Sequence, residues 1–305
     1  MRQVPKILLD SLFAIVCAFL LPVVFCNGRV ERNVTYGRAD DVELKMDVYF
    51  PANSTSNTVP AVIFIHGGAW RRGDKSRLTF PQLLPMLLRH GFLVASINYR
   101  LAPKYKFPAQ IEDAKCAVRF LRAHAKQLRI DPNRIGVEGE SAGGQLAALL
   151  GLTNPNAGFD GRGGWNNQSS QVEAVVDMFG PADLTAFDFQ SNDYYRTIGE
   201  EVFGAKSGDD SALKRASPVN YISKGAPPFL ILQGDRDETV PLKQSEELDE
   251  QLKAVGDFSI LVVVKNAGHG LSRVDEDIKP SRAELARKVV DFFDHTLAND
   301  FSTQN

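Results

Sequence analysis

The sequence predicts an α/β fold in which helices lie on both faces of a mostly parallel central sheet. The main observation is that short apolar runs alternate with helical patterns along most of the chain. A second is that residues 61–65 are continuously apolar, which is typical of a strand buried on both faces. A third is that polar, glycine-containing segments directly follow such runs, as expected where parallel strands end at a functional edge.

The elements follow in order along the chain. Residues 30–36 and 42–50 favour β-structure with no helical pattern between them, which predicts two antiparallel strands. Further strands are predicted at residues 61–65, 92–98, 135–138, 172–179, 229–233 and 258–264. Helices are predicted at residues 82–89, 108–128, 142–150, 242–255 and 281–295. Right-handed crossovers would connect the parallel strands.

Two segments interrupt this alternation. Residues 153–170 are rich in Gly and Asn, and residues 181–226 are polar and aromatic. Long irregular segments in a compact domain usually have a function, so both are predicted to be loops or small cap insertions over the active site. The domain that contains them is predicted to span residues 29–305.

The first 28 residues have the pattern of a signal peptide. Arg2 and Lys6 precede an apolar stretch at residues 7–25, and small residues follow it. This predicts a secreted or periplasmic protein with no stable membrane partner after cleavage. The alternative is an uncleaved N-terminal membrane anchor, because the apolar run approaches the roughly 20 residues that span a bilayer.

Composition limits the classes of partner. The chain has 305 residues, a net charge of -2 and a pI near 6.2, so no electrostatic field favours nucleic acid or an anionic membrane. Cys17 and Cys26 lie in the predicted signal peptide, which leaves Cys116 without an internal partner. Cys116 lies in a helical pattern, where we expect a packed small hydrophobic residue rather than a nucleophile.

The strongest functional motif is Gly139-Glu140-Ser141-Ala142-Gly143. It directly follows one predicted strand and directly precedes a predicted helix, which is the setting of a nucleophile elbow. A serine in such a tight turn needs neighbours without side chains, and the flanking glycines meet that need. We therefore predict that Ser141 is a nucleophile; the alternative is a simple helix N-cap.

A serine nucleophile needs a base, and the chain has five histidines. His90, His124 and His295 lie in or at the ends of helical patterns, and His66 precedes two glycines. His269 follows the predicted strand at residues 258–264, so it would lie at the carboxyl edge of the sheet. His269 is the predicted general base.

The acid that orients this imidazole is expected in the segment after residues 229–233. The segment contains Asp235, Asp237 and Glu238, and spacing alone does not choose among them. Whichever is used, the chain order is Ser, then the acid, then His.

Acyl transfer also needs donors for the negative oxygen that forms on the carbonyl. Gly67 and Gly68 follow the strand at residues 61–65, where their backbone amides could approach a ligand closely. With the amide of Ala142 they are the predicted oxyanion hole. The alternative is a glycine-rich turn that binds no ligand.

Taken together, these motifs resemble those of α/β-hydrolase esterases related to the hormone-sensitive lipase group, especially the carboxylesterase-like and bifunctional feruloyl/acetyl-xylan esterase branch. The resemblance covers residues 43–298 and includes His66-Gly67-Gly68-Ala69-Trp70, Tyr99-Arg100-Leu101-Ala102-Pro103, Phe107-Pro108-Ala109 and the elbow motif with Gly144. It implies the α/β-hydrolase fold and a serine carboxylesterase without cofactor or metal. The family pattern Gly-x-x-Asp-x-x-Val-Pro aligns with residues 234–241 and selects Asp237 as the acid.

The resemblance also suggests the substrate, a small-molecule or polysaccharide-linked ester. Short-chain acyl or feruloyl esters of carbohydrates are favoured, and the predicted substrate contacts are the aromatic residues Trp70, Trp165, Tyr194 and Tyr195. These aromatics could instead pack the loops.

The glycine segment also resembles that of a second group of enzymes. Because Ala69 and Trp70 follow only two glycines, the chain is similar to kynurenine formamidases and prenylcysteine methylesterases as well. An arylformamidase is therefore the alternative enzyme. A catalytically silent binding module with the same fold is the alternative in which the protein is not an enzyme.

Overall fold

The computed structural model describes residues 28–52, 57–77, 79–188, 192–205 and 211–298. The predicted signal peptide, residues 1–28, lies outside this description apart from Gly28. Within the described residues no helix combines the length and the apolar character that crossing a bilayer requires.

Eight strands form a single sheet. They are β1 (Val30–Ala39), β2 (Val42–Tyr49), β3 (Val59–Ile65), β4 (Leu93–Ile97), β5 (Ile130–Glu140), β6 (Ala174–Met178), β7 (Phe229–Gly234) and β8 (Ser259–Val264). Their spatial order is β1-β2-β4-β3-β5-β6-β7-β8. β2 pairs antiparallel with β1 and β4, and all other neighbours are parallel.

In the described part of the chain, seven helices lie between these strands, and an eighth follows β8. They are α1 (Leu83–Arg89), α2 (Ala109–Ala123), α3 (Ala125–Leu128), α4 (Ala142–Leu152), α5 (Asp193–Ile198), α6 (Ser211–Ala216), α7 (Leu242–Ala254) and α8 (Arg282–Phe293). Single 3₁₀ turns occur at Pro155–Ala157, Leu184–Ala186, Pro218–Tyr221 and His269–Leu271, and π-helical turns at Gly199–Phe203 and Asp294–Ala298. This alternation confirms the predicted α/β-hydrolase fold.

The core lies on both faces of the sheet. One face packs side chains such as Ile63 and Val137 against α2, α4 and α7. The other packs Val62 and Leu230 against α1 and α8. All residues of β3 are buried, as its uninterrupted apolar sequence predicts. Cys116 is also buried, and burial raises the pKa of its thiol to about 11, which agrees with a packing role.

The parallel register brings the ends of distant strands together. Ile65 at the end of β3 pairs with Gly139 in β5, and Gly234 at the end of β7 pairs with Val264 at the end of β8. The segments that follow these strands therefore leave the same edge of the sheet. That edge carries the candidate site.

Two element boundaries differ from the predictions. β5 begins at Ile130 because Val59 pairs with Ile130, although the polar residues 131–134 favour a later start. The predicted long helix from residue 108 is divided at His124 into α2 and α3.

Candidate active site

Ser141 lies at the sharp turn between β5 and α4. Its backbone has φ 55° and ψ -116°, a conformation that residues with side chains rarely adopt. The turn closes because a Cβ atom at Gly139 would collide with the carbonyl of Gly143, and one at Gly143 would collide with the carbonyl of Ile65. The Ser141 amide donates to the Met178 carbonyl at 2.8 Å, which anchors the turn to β6.

Ser141, His269 and Asp237 form one hydrogen-bonded row. His269 Nε2 lies 2.9 Å from Ser141 Oγ, and His269 Nδ1 lies 2.8 Å from Asp237 Oδ2. The serine follows β5, the aspartate follows β7 and the histidine follows β8. Three segments far apart in the chain therefore meet at hydrogen-bonding distance.

The surroundings of Asp237 distinguish it from the other two acids of its segment. Asp237 is buried, and its Oδ1 accepts the amides of Thr239 and Val240 at 2.9 Å each. Asp235 instead lies 3.5 Å from the ammonium group of Lys265. Glu238 is exposed and lines the cavity beside the row. Only Asp237 among these three acids contacts the imidazole of His269 in the described structure.

Packing restricts the imidazole ring as well. The Phe179 ring lies 5.1 Å from the His269 ring, at an interplanar angle of 74°. The edge-to-face contact leaves the histidine side chain 29% exposed, on the side open to the cavity.

The two glycines after β3 lie beside the serine. A Cβ atom on Gly67 would lie 3.3 Å from Ser141 Cβ, so this backbone passes directly against the hydroxyl-bearing carbon. Gly68 has φ 121°, and a Cβ atom there would collide with the carbonyl of Arg72. Gly67 and Gly68 line the same cavity as Ser141, and Ala142 is the residue after the serine.

His66 fixes the backbone of this glycine segment. Its Nδ1 donates to the Gly67 carbonyl at 2.7 Å, and its own carbonyl accepts the Tyr99 hydroxyl at 2.9 Å. The His66 and Tyr99 rings also stack with centroids 4.3 Å apart. Burial lowers the pKa of His66, which favours its neutral form. His66 therefore has a supporting position and is not part of the row.

The row opens into a cavity of about 640 Å³. Its walls are about equally polar and apolar, and their polar residues include Arg72, Arg77, Thr79, Asn192, Glu238 and Thr239. A second, apolar recess of about 40 Å³ adjoins Ser141. Its walls include Trp70, Pro181, Leu184, Phe187, Ile198 and Val240.

Three of the four predicted aromatic contacts reach these spaces. Trp70 lines the apolar recess, where its indole N–H donates to Gln145 Oε1 at 3.0 Å. Tyr194 and Tyr195 line both the cavity and the recess. The Tyr195 hydroxyl donates to the Thr239 carbonyl at 3.2 Å, which ties the insertion at residues 181–226 to the loop of Asp237.

Trp165 does not reach the site, so its predicted substrate contact is wrong. Its indole N–H donates to the Tyr36 carbonyl at 2.8 Å, and its ring packs against Phe120 and His124. Part of the segment 153–170 is similarly placed against α2, where Arg119 Nε donates to the Gly164 carbonyl at 3.0 Å, whereas Phe159 packs against Phe107 and Tyr221. None of the residues of this predicted cap insertion lines the cavity or the recess.

Some residues of the site carry no signal in the sequence. Gln233 donates its side-chain amide to Asp237 Oδ2 at 3.1 Å, and Phe179 contacts His269. Both residues lie at the ends of predicted strands, but no motif marks either of them. Leu184, Phe187 and Ile198 belong to the insertion at residues 181–226, whose position over the site was predicted. Among the described residues no group of His, Cys, Asp and Glu side chains is arranged to hold a metal ion.

Comparison with known proteins identifies the family of the chain. Residues 46–252 match the BD-FAE family. The chain is 30% identical to the esterase LipC of Mycobacterium tuberculosis over 277 residues, which is 85% of this chain and 68% of LipC. It spans about half the length of other curated relatives.

Two solved structures have the same fold. A truncated carbohydrate esterase from gut microbiota has a TM-score of 0.76 and 28% identity, covering 89% of this chain and 97% of that protein. The propionate-bound esterase Est2 of the planctomycete Thermogutta terrifontis has a TM-score of 0.71 and 26% identity, covering 90% and 96%. The chain therefore belongs to the BD-FAE family and is an esterase of the α/β-hydrolase type.

Proposed function

We propose that this protein is a serine carboxylic-ester hydrolase in which Ser141 is the nucleophile, His269 the general base and Asp237 the acid that orients it. The observation that carries the proposal is the unbroken row of hydrogen bonds at the floor of the cavity, 2.9 Å from serine to histidine and 2.8 Å from histidine to aspartate. A serine hydroxyl at neutral pH is a weak nucleophile without such a base.

The row supports a two-step acyl transfer. Ser141 Oγ attacks the ester carbonyl while its proton passes to His269 Nε2, and the imidazolium is stabilised by Asp237. His269 then returns the proton to the leaving alcohol, and the acyl group stays on Ser141. Water attacks this acyl-enzyme with the same histidine as base, which releases the acid and restores the hydroxyl.

The oxyanion that forms in each step would accept hydrogen bonds from the amides of Gly67, Gly68 and Ala142. The Ala142 amide lies at the N-terminus of α4, where the helix dipole favours negative charge. Each such donor contributes a few kcal/mol to the stability of the transition state. His66 and Tyr99 support this role by fixing the backbone of the glycines.

The apolar recess favours a short acyl group. Its volume of about 40 Å³ suits an acetyl or propionyl chain. An aromatic ring is too large for this recess, since a cavity known to hold benzene has a volume of about 150 Å³. A feruloyl group would therefore have to lie in the larger cavity, and acetyl esters are the favoured substrates.

The large cavity suits a polar alcohol. Its volume of about 640 Å³ and its combination of polar and apolar wall fit one or more sugar units, and Tyr194 is 48% exposed there for stacking on a sugar ring. Similarity to a carbohydrate esterase supports the same class. We therefore favour acetyl esters of carbohydrates over other short-chain esters.

The proposal is tested with purified wild-type protein and the Ser141→Ala variant on p-nitrophenyl acetate. The expected result is turnover by the wild type and a loss of at least about 10³-fold in the variant. Equal turnover by both would remove Ser141 from its role. Acetylated xylan, methyl ferulate and N-formylkynurenine are then compared at equal enzyme concentration. Faster release of acetate than of ferulate or formate supports the acetyl-ester class, whereas preference for N-formylkynurenine would favour an arylformamidase.

We also propose that the protein is exported. The basic start and apolar stretch of residues 1–28 support a cleaved signal peptide and a secreted or periplasmic enzyme. N-terminal sequencing of the protein from its native host tests this. A mature N-terminus near residue 29 is expected, and an intact Met1 would contradict it.

A further inference from the structure

Arg282, the first residue of α8, connects two segments of the site. Its Nη2 donates to the Gly270 carbonyl at 2.7 Å and to the Leu271 carbonyl at 3.3 Å, so it holds the turn that carries His269. Its Nη1 donates to the Thr79 carbonyl at 3.0 Å. Its guanidinium carbon lies 5.1 Å from the centre of the Phe80 ring.

Glu140 binds the same segment from the other side. Its carboxylate accepts the Phe80 amide at 3.1 Å and the Thr79 amide at 3.2 Å. Glu140 is buried, ends β5 and is covalently joined to Ser141. Glu140, which is next to Ser141, therefore binds the amides of Thr79 and Phe80. Arg282, which binds the His269 turn, contacts the Thr79 carbonyl and the Phe80 ring.

The His269 turn is a single 3₁₀ turn that contains Gly270. The Gly268 amide donates to the Ser272 carbonyl at 2.8 Å, and the Ser272 hydroxyl donates to the His269 carbonyl at 2.9 Å. Arg282 binds the two carbonyls between these closures, those of Gly270 and Leu271. The hydrogen bond from Nδ1 to Asp237 and the edge-to-face contact with Phe179 orient the imidazole ring. The position of Nε2 relative to Ser141 Oγ also depends on the backbone that carries the ring, and Arg282 binds that backbone.

We infer that Arg282 and Glu140 are positioning residues that act through Thr79 and Phe80 to set the separation between His269 Nε2 and Ser141 Oγ. This inference rests on the proposed catalytic roles of His269 and Ser141. Neither positioning residue is required to touch the substrate. Their effect is on the alignment of the proton transfer, and a misplacement of about 1 Å at such a centre can cost about 100-fold in rate.

Arginine suits this position better than lysine. The planar guanidinium donates in several fixed directions, and here it binds carbonyl groups of two separate segments. An ammonium group is a compact donor on a flexible stem, so it would bind one segment at a time. Arg282→Lys should therefore retain the positive charge but only part of the alignment.

The test uses the full-length enzyme with Arg282→Gln, Arg282→Lys, Glu140→Gln and the double variant Glu140→Gln/Arg282→Gln. Arg287→Gln is the matched control, because Arg287 is exposed on the same helix. The kcat and KM for p-nitrophenyl acetate and the rate of fluorophosphonate labelling are measured well below each melting temperature. Ser141→Ala is measured beside them.

The expected result for Arg282→Gln is a fall in kcat of about 10- to 100-fold with KM within about 2-fold. The kcat of Arg282→Lys should lie between those of Arg282→Gln and the wild type. The labelling rate should fall in parallel with kcat. The double variant should lose less than the product of the two single losses, because both residues act through one segment. Arg287→Gln should match the wild type.

Three results would overturn the inference: a kcat for Arg282→Gln within about 2-fold of wild type, an equal loss in Arg287→Gln, or fully multiplicative losses in the double variant. If Arg282→Gln does not fold, Arg282→Lys decides, with a lower kcat at unchanged KM expected and an unchanged kcat overturning the inference. A wild-type enzyme no faster than Ser141→Ala would instead contradict the proposed function itself.

Discussion

Gln233 and His269 bind the same oxygen of Asp237. The side-chain amide of Gln233 donates to Oδ2 at 3.1 Å, and His269 Nδ1 lies 2.8 Å from that oxygen. The nitrogen and oxygen of the Gln233 amide cannot exchange places. The nitrogen also donates to the Val240 carbonyl at 2.9 Å, and the oxygen accepts the Ser245 hydroxyl at 3.0 Å. Gln233 therefore holds the Asp237 carboxyl group in a fixed position facing the imidazole.

Replacing Gln233 by Glu should lower activity and raise the pH below which activity is lost. A second carboxyl group would then face that of Asp237 in place of the amide donor. Because two negative charges repel each other, the pair would retain a proton to higher pH. We expect the acidic limb of the kcat/KM profile to shift up by about one pH unit or more. Gln251→Glu on α7, where Gln251 donates to Glu247 at 3.0 Å, is the control for added charge. Identical pH profiles for both variants would contradict this account of Gln233.

The choice of acid is tested by two neighbouring substitutions. Asp237→Asn should lower kcat by about 10⁴-fold, because an amide at this position no longer favours the required tautomer of His269. Asp235→Asn is the matched control, since Asp235 lies two residues earlier and faces Lys265 instead. We expect Asp235→Asn to retain kcat within about 3-fold. A larger loss in Asp235→Asn than in Asp237→Asn would reassign the acid.

The proposed oxyanion hole is tested at Gly68. Alanine there would require a strained backbone at φ 121° and would collide with the Arg72 carbonyl, so the loop would have to move. We expect Gly68→Ala to lower kcat by about 10²- to 10³-fold, the loss typical of one missing oxyanion donor. Gly91→Ala is the control, since Gly91 also has a positive φ of 87° but has open space around it. The proposal fails if both variants keep the wild-type kcat.

Acyl-chain selectivity is tested at Phe187, which lines the apolar recess. Phe187→Ala should enlarge the recess, so the ratio of kcat/KM for p-nitrophenyl butyrate to that for the acetate should rise by about 10-fold, the effect of one or two additional buried methylene groups. Phe258→Ala is the control, because Phe258 is 49% exposed and lies before β8, outside the recess. An unchanged ratio in Phe187→Ala would mean that the recess does not hold the acyl chain.

A fifth prediction concerns stability and pH. Burial raises the pKa of Asp177 from 3.8 to about 7. Between these two pH values the folded protein holds a proton that the unfolded chain has released. This contribution to stability is present below about pH 4 and is lost as pH rises through 7. Asn at this position is neutral and can still accept the Gly180 amide that Asp177 accepts at 2.9 Å.

Urea unfolding at pH 5 and pH 8 tests that prediction. The free energy of unfolding of the wild type should fall relative to that of Asp177→Asn by about 2–4 kcal/mol between the two pH values, since one pKa unit corresponds to about 1.4 kcal/mol. Asp275→Asn, at an exposed position paired with Arg236, should behave as the wild type. Parallel pH dependence in Asp177→Asn and the wild type would contradict the buried-acid account.

Much of the fold and three loops of the site could be predicted because the signals are local. Each strand is a short apolar run, and the polar residue that matters follows it within a few positions, as Ser141 follows β5 and His269 follows β8. The order of parallel strands then brings those loops to one edge without any knowledge of the side-chain contacts.

The remaining features depend on partners far away in the chain. Trp165 donates to Tyr36, a residue 129 positions earlier, and nothing in the Gly- and Asn-rich segment indicates which end of the sheet it will reach. Arg282 begins a helix like any surface arginine, yet it binds Thr79, a residue 203 positions earlier. Gln233 ends a buried strand, where only the fold shows that its amide faces Asp237.

The central claim is that Ser141 attacks with His269 as its base, and covalent labelling tests it most directly. Wild-type protein, Ser141→Ala and His269→Asn are incubated with a fluorophosphonate, and the modified peptide is identified by tandem mass spectrometry. The account predicts one label on Ser141, no label in Ser141→Ala and labelling slower by about 10³-fold or more in His269→Asn. A label on another residue, or an unchanged rate in His269→Asn, would contradict it.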